Sequence, residues 1–507
     1  MSFIFPTQPD YSGKLNQTSG SSRLIDIPTY FIVVGLCVFA ALWIGQLWTI
    51  SIAPPEDNIE QLIWTSSLEW GYYKHPPLPT WLLWPLVKVF GPHPTLTFAL
   101  AGLTTLGAIA IMWRLLSSLR GHQYALVALL ATLCITYYNR RLDVYNHDTV
   151  LMVIVAMSAV LIWKAHQSGQ IRWWAALGVC LGLGTLTKYQ IAVTMTCTLA
   201  FWLYTKGWQT RHGRYGFATM CLIIFLIFLP HGLWMIESNF APIRYAMESS
   251  LGANSDAIDR ITGSLRWLAD QIFNRMGPAW LFLLVAWLLL KLHKPTESTS
   301  SSRSSAIQSN RHDQDARSLL LIWGLLPLAF MPFVSFVMGS HLMMRWASPF
   351  LIFSVPAAFE LFNFTVAKRS ISLKPVWIAF FIVQGLLLAA SFWMSYAGAQ
   401  LIFTHKIKKF DFVQLAQAIE QPARTALGGT ICLVSGNTEL AGGLAIELSD
   451  KPQVLIDGRL DRSPWLSPET LRNCGVIELI MNSQDLAATP LGPTFPNLSW
   501  RAIPPKP

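Results

Sequence analysis

Two stretches near the start of the chain bring together residue types that do chemistry in combination. PPEDNIEQLIW begins at Pro54 and GYYKHPPLPTW at Gly71, so Asp57 and Glu60 are followed by Lys74 and His75 beside paired prolines. A carboxylate can take a proton from a nucleophile while nearby cations hold a phosphate. That is the equipment of a membrane enzyme facing a phosphorylated lipid.

The elements that must carry these residues follow from composition. The chain has 507 residues, 53% hydrophobic and only 13% charged, with mean hydropathy +0.42. That is too apolar for a soluble protein of this size and implies a polytopic membrane protein, mainly α-helical. Apolar runs lie at Tyr30–Ile50, Leu96–Leu116, Tyr124–Tyr138, Thr149–Ala165, Trp173–Leu186, Ile191–Tyr204, Phe217–Met235, Ala279–Leu290, Leu319–Met338, Trp346–Phe364 and Val376–Tyr396. These eleven runs predict about eleven transmembrane helices, within a range of ten to thirteen. The segment 77–90, with prolines at 77, 79 and 85 and with Lys88, reads as an interfacial helix.

Charge orients this arrangement. With residues 1–28 as a cytoplasmic N-terminal segment, the inner segments carry basic residues such as Arg114, Arg120, Lys164, Arg172, Arg211 and Arg214, against only five acids (Asp10, Asp26, Glu297, Asp313, Asp315). The first outer loop, Ser51 to His75, has four acids and one lysine. Basic residues mark the inner side, so the C-terminus is expected outside. The net charge of +10 is then a matter of topology, and a nucleic-acid partner is not needed to account for it. Residues 1–28 are polar and do not read as a cleavable signal peptide.

Within the membrane unit, residues 29–396, the Ser-rich segment 294–317 reads as a disordered cytoplasmic loop. From residue 397 to 507 short apolar runs (Ile431–Val434, Val454–Ile456, Val476–Ile480) alternate with amphipathic stretches around Phe412–Ile419 and Leu440–Leu448. This predicts a small extracytoplasmic α/β domain. Cys432 and Cys474 fall in this tail and could pair in an oxidising compartment; the other five cysteines lie in apolar runs.

On this topology further polar residues reach the outer surface. Arg140, Arg141, Asp143, Asn146, His147 and Asp148 lie between the third and fourth runs, and Lys188 in the turn after the fifth. The segment Glu237–Gly277, read as a loop, adds Arg244, Arg260, Arg266 and Arg275, and Arg345 precedes the tenth run.

Several motifs here resemble the GT-C membrane glycosyltransferases of the protein O-mannosyltransferase type, including the lipid A aminoarabinose transferases (glycosyltransferase family 39-like). They are D-x-x-E-Q at Asp57–Gln61, W-G-Y-x-x-H-P-P-L from Trp70, N-H-D opening the fourth span, L-T-K-Y-Q from Leu186, and I-D-G-R-L-D-R-S-P-W from Ile456. The resemblance implies a polyprenyl-phosphate sugar as donor, undecaprenyl in a bacterial inner membrane. It also implies transfer with inversion on the outer face to a glycolipid, glycan or protein acceptor. Asp57 maps onto the family's proposed general base and Lys188 onto the lysine of its L-T-K segment. His75 stands where the aminoarabinose transferases have a lysine, with Lys74 one residue earlier, so either can be the phosphate contact. Arg345 is a further phosphate ligand without a motif behind it, and Glu60, Tyr72, Asn146 and Asp148 are assigned to orienting sugar or acceptor.

Each residue also has a plainer reading. Asp57 could be a solvated loop acid, Asn146 or Asp148 a helix N-cap, Lys188 a snorkelling helix end, and Arg140 and Arg141 grips on lipid headgroups. Asp57, His75, His147 and Asp148 are chemically able to bind a divalent metal but lack a close-spaced ligand signature; the reading adopted needs no cofactor. A transporter or flippase of lipid-linked sugars, or an inactive assembly subunit, is the alternative. Transporters carry ionisable groups near mid-membrane, whereas the spans here are nearly uncharged at their centres.

Overall fold

The computed structural model describes residues 29–51, 53–249, 256–292, 308–362, 372–396, 410–481 and 487–505. The N-terminal segment and most of the Ser-rich stretch lie outside these residues. The first part of the chain is helical. Helix α1 (Thr29–Ile50) is followed by the short α2 (Glu56–Trp64) and α3 (Leu78–Phe90), then by α4 (Pro94–Arg120), α5 (His122–Leu133), α6 (His147–Ser168), α7 (Ile171–Thr185), α8 (Ile191–Tyr204) and α9 (Arg211–Glu237). After α10 (Ala241–Ser249), α11 (Ala257–Ala269) runs through a π-turn into α12 (Gly277–Leu292), and α13 (Gln308–Met338), α14 (Ser354–Leu361) and α15 (Leu373–Tyr396) complete this part.

Among the described residues six helices, α1, α4, α6, α9, α13 and α15, are long and apolar enough to cross a bilayer, and α11 with α12, bent by 42°, form a seventh if taken as one broken span. Three of the expected runs are helices of 12, 15 and 14 residues (α5, α7, α8), below the roughly 20 that span alone. Trp346–Phe364 is not one helix. It breaks into turns at Met344–Ala347 and Leu351–Phe353 and the eight-residue α14, and Pro349, which lacks an N–H, cannot carry a continuous helical ladder between them. The segment expected as a loop from Glu237 to Gly277 instead holds α10, α11 and the π-turn, with Asp256 capping α11 through Asp259 N. The Ser-rich segment gives way to helix at Gln308. Helix α3 begins one residue after the paired prolines, which suit a helix start, and ends at Gly91 with φ 78°.

Most spans share one apolar core, anchored by Trp43, Trp113, Trp267, Trp323 and Phe353. At the end of α4 Arg120 fastens it: its Nε and Nη1 reach Glu360 and Asp313 at 2.8 and 2.6 Å, while Tyr124 donates to the same Glu360 carboxylate. Four helices, α4, α5, α13 and α14, meet there.

The tail folds as α16 (Phe412–Leu427), β1 (Leu433–Gly436), α17 (Thr438–Glu447), β2 (Gln453–Ile456), α18 (Pro468–Asn473), β3 (Val476–Met481), β4 (Thr489–Pro490) and β5 (Leu498–Ile503). The sheet order is β2-β1-β3-β5-β4, parallel across β1, β2 and β3 and antiparallel at β5 and β4. The three expected strands are all present; the last two, flanked by proline and glycine, lacked a legible apolar run. Cys432 and Cys474 pack against one small apolar cluster on the sheet's outer face and are both free thiols. The other face is continuous with the membrane unit: Ile59, Leu62, Ile63 and Trp64 of α2 and Tyr72 and Tyr73 share one apolar core with Phe412, Leu440, Leu444 and Ile456.

Arg120→Ala leaves the buried Glu360 without its main counter-charge, and removing one partner of such a pair costs about 3–5 kcal/mol. The expected result is a clearly lowered thermal unfolding midpoint in detergent. Arg120→Lys should recover only part of it, since one ammonium cannot reproduce the forked contacts.

Candidate active site

The site is built on α2. Pro54 and Pro55 end the preceding extended chain, and Glu56 and Asp57 fill the first turn, where the helix dipole favours negative charge. Asn58 locks the helix in place. Fully buried, it donates to Thr97 Oγ1 and to the Asp143 carbonyl, both at 2.8 Å, and accepts from Tyr145 N at 2.8 Å.

Asp57 then faces the start of α6. Its Oδ2 accepts from Asn146 Nδ2 at 2.9 Å and lies 3.5 Å from Arg345 Nη1. Asn146 uses its other side-chain atom, Oδ1, to cap α6 by accepting from Asp148 N and Thr149 N. Asn146 is thus the N-cap and a brace for Asp57 at once. Burial alone would raise the Asp57 carboxyl, but Arg345 first, then the Asn146 hydrogen bond and the more distant Arg141, outweigh it and hold it below its ordinary value. Asp57 is a carboxylate with one oxygen, Oδ1, outside these contacts.

The cations are less equivalent than their sequence suggests. Lys74 Nζ lies 2.6 Å from Glu60 and faces the rings of Tyr73 and Tyr245. Burial works against its charge, but Glu60 outweighs that and keeps it an ammonium. Lys188, in the turn between α7 and α8, is likewise paired with Asp148 at 2.6 Å. His75 stacks near His147, ring centroids 4.2 Å apart. Burial, then His147 and the surrounding cations, push it well below its ordinary value, so it offers a neutral N–H rather than a charge. Arg345, on the turn Met344–Ala347, keeps a side chain 41% exposed. Its guanidinium is held charged chiefly by Asp57.

Tyr72 departs from its expected place. Its ring stacks on Trp64 at 4.5 Å and its hydroxyl is directed to the Trp64 and Ser67 carbonyls, leaving it 1% exposed. It supports the loop from beneath instead of orienting sugar. Above it, His231 of α9 bonds the Trp70 carbonyl and Tyr189, and Gly71 lies so close to Trp234 that any side chain there would strike the ring. The loop carrying Lys74 and His75 is thereby hung between α2 and α9.

Three participants were not singled out from sequence. Asn58 looks like any loop amide until its three partners are known. Arg141, considered as a headgroup contact, lines a small cavity of about 20 Å³ with Arg345, Tyr137, Asn146 and Asp148. Glu439, in the first turn of the tail helix α17, feels Glu56 and Asp57; burial first, and then these two charges, push its carboxyl up to about 7. Among the described residues no group of three or more His, Cys, Asp and Glu is close enough to hold a metal ion; Asp148 faces Lys188 and His147 Nε2 the Pro76 carbonyl.

Comparison with known proteins agrees with the resemblance carried by the motifs. Residues 74–234 match the family described as dolichyl-phosphate-mannose-protein mannosyltransferase. The lipopolysaccharide core galacturonosyltransferase RgtA of Rhizobium johnstonii is 21% identical over 421 residues, 79% of this chain and 77% of that one. The fold is that of ArnT from Cupriavidus metallidurans. With undecaprenyl phosphate bound, the TM-score is 0.57 at 14% identity over 94% of this chain and 98% of that one. In the apo state it is 0.58 at 13% identity over 93% and 98%.

Two measurements test the electrostatics. A depressed Asp57 places the acid limb of a kcat/KM–pH profile below the usual aspartate range, and Arg345→Ala should move it up. Glu439 binds its proton more tightly in the folded chain than in the unfolded one. The resulting penalty is absent well below the unfolded value near 4.5 and full above about 7, so Glu439→Gln should raise the unfolding midpoint at about pH 8 and leave it unchanged at about pH 3.5.

Proposed function

We propose that this chain is an inverting glycosyltransferase that moves a sugar from a polyprenyl phosphate, undecaprenyl phosphate in a bacterial inner membrane, to an acceptor on the outer face. The observation that carries the reading is Asp57, a carboxylate kept ionised in a largely buried setting by Asn146 and Arg345. It sits in a fold shared with a protein whose structure holds undecaprenyl phosphate. The membrane setting, the family match at residues 74–234 and the galacturonosyltransferase relative support the same class.

In this mechanism the acceptor hydroxyl attacks the anomeric carbon from the face opposite the phosphate. The new C–O bond forms as the bond to phosphate oxygen breaks; the polyprenyl phosphate leaves with the electron pair, and the hydroxyl proton passes to Asp57. A carboxylate of low pKa is a weak base for a hydroxyl, so it takes the proton late, once bond formation has acidified the nucleophile. Position then matters more than basicity, which is consistent with the bracing of Asp57 by Asn146 and of α2 by Asn58. Arg345, the most exposed of the site cations, meets the leaving phosphate, assisted by Arg141 and by N–H donation from His75. Lys188 and Lys74 join by exchanging a carboxylate partner for phosphate, and Glu60 and Asp148, released in that exchange, orient sugar or acceptor.

The test is turnover of purified protein with radiolabelled undecaprenyl-phosphate sugars and envelope-extract acceptors, comparing wild type with Asp57→Asn. Loss of a proton acceptor costs about 10²–10⁴-fold, so transfer should fall by that much in a variant with unchanged unfolding midpoint. Equal rates would remove Asp57 from the chemistry. Movement of intact donor across liposomes, without release of polyprenyl phosphate, would favour a transporter.

A further inference from the structure

Helix α2 is gripped on two sides. Asn58 holds one side against Thr97, Asp143 and Tyr145; Ile59 and Ile63 point the other way, into the core shared with the tail. The tail helix α17 crosses them at Gly442. A methyl group there would lie within 2.5 Å of both Ile59 Cγ2 and Ile63 Cδ1. The two isoleucines are 0% and 6% exposed, and Ile59 Cγ2 is fixed directly to Cβ, so it cannot swing aside without the helix. Gly443, next in sequence, is packed as tightly on Phe412 of α16, which prevents α17 from retreating instead. Only a missing side chain lets the helices approach this closely.

We infer that Gly442 is a positioning residue for Asp57, and that the tail domain is a fixed part of the catalytic unit that sets the height of α2. The inference rests on the reading of Asp57 as the base. Ile59 is two residues from Asp57 on the same helix, and α2 is only nine residues long. A displacement forced at Ile59 is therefore delivered to the carboxylate, which already stands at a long 3.5 Å from Arg345. Glu439, one turn before Gly442 on α17, feels the charges of Glu56 and Asp57, so the same crossing brings the tail to the start of α2.

The test is a mutant cycle. Gly442→Ala should lower kcat about tenfold, since displacements well under 1 Å at a reacting group have effects of this order, while the donor KM stays within about twofold. In a background carrying Ile59→Ala and Ile63→Val, which removes both obstructing methyl groups, adding Gly442→Ala should cost less than about twofold, the non-additivity of groups in contact. Leu433→Ala, which loosens the sheet from its opposite face, should lower the unfolding midpoint and leave kcat unchanged at a temperature where the protein is folded. Equal losses from Gly442→Ala in both backgrounds, no loss in either, or a kcat loss from Leu433→Ala as large as that from Gly442→Ala would each overturn the assignment. Active wild type with unaffected Gly442→Ala defeats only this inference, whereas unaffected Asp57→Asn defeats the premise. The same cycle read by thermal unfolding tests the contact in any preparation; additive shifts there overturn it.

Discussion

Keeping a carboxylate ionised with little water around it demands fixed partners from several parts of the chain, and that demand organises the end of the molecule where α2 lies. Asp57 cannot be stabilised by its own helix beyond the dipole of the first turn. Its amide partner comes from the cap of α6 and its cation from a turn some three hundred residues later, at Arg345. For those atoms to converge, α2 has to be clamped, the loop from Trp70 to His75 hung on α9, and α13 ended at the left-handed Gly339 so that an irregular segment can carry Arg345. The departures from regular helix are concentrated where the site needs them.

The site cations divide into two kinds. Lys74 and Lys188 already have carboxylates at 2.6 Å, while Arg345 is shared at longer range with Asp57. A buried ion pair is costly to break on one side only, so the paired lysines hold the site together, and the arginine remains the more available charge. Neutral His75 adds a donor without adding repulsion among cations that are already crowded.

Much of this could be read from the sequence, because apolar length, proline and capping chemistry act locally. The long spans, the helix after the paired prolines, the turn holding Lys188 and the first three strands of the tail all follow from such signals. Asn146 was readable as a cap, but its second bond to Asp57 was not, since it depends on where α2 lies. Asn58 and Tyr72 carry polar groups whose partners, backbone atoms and for Asn58 also the Thr97 hydroxyl, are brought near by folding, and nothing in their neighbours' identities marks them as buried. Trp346–Phe364 differs for another reason: apolar content describes burial there and does not say where the backbone turns. Gly442 and Glu439 were invisible as site residues because they belong to a domain joined to α2 only in three dimensions.

That joining has a consequence for how the protein is made. Ile59 and Ile63 are synthesised near the beginning of the chain, and the helix that covers them arrives near its end. Until then α2 must wait with an apolar face uncovered, and contacts so distant in sequence form late. The site around α2 is therefore among the last parts of the molecule to be completed. A chain interrupted before α17 would carry Asp57, Asn146 and Arg345, but not the surface against which α2 is seated, so the seating of α2 waits on the synthesis of α17.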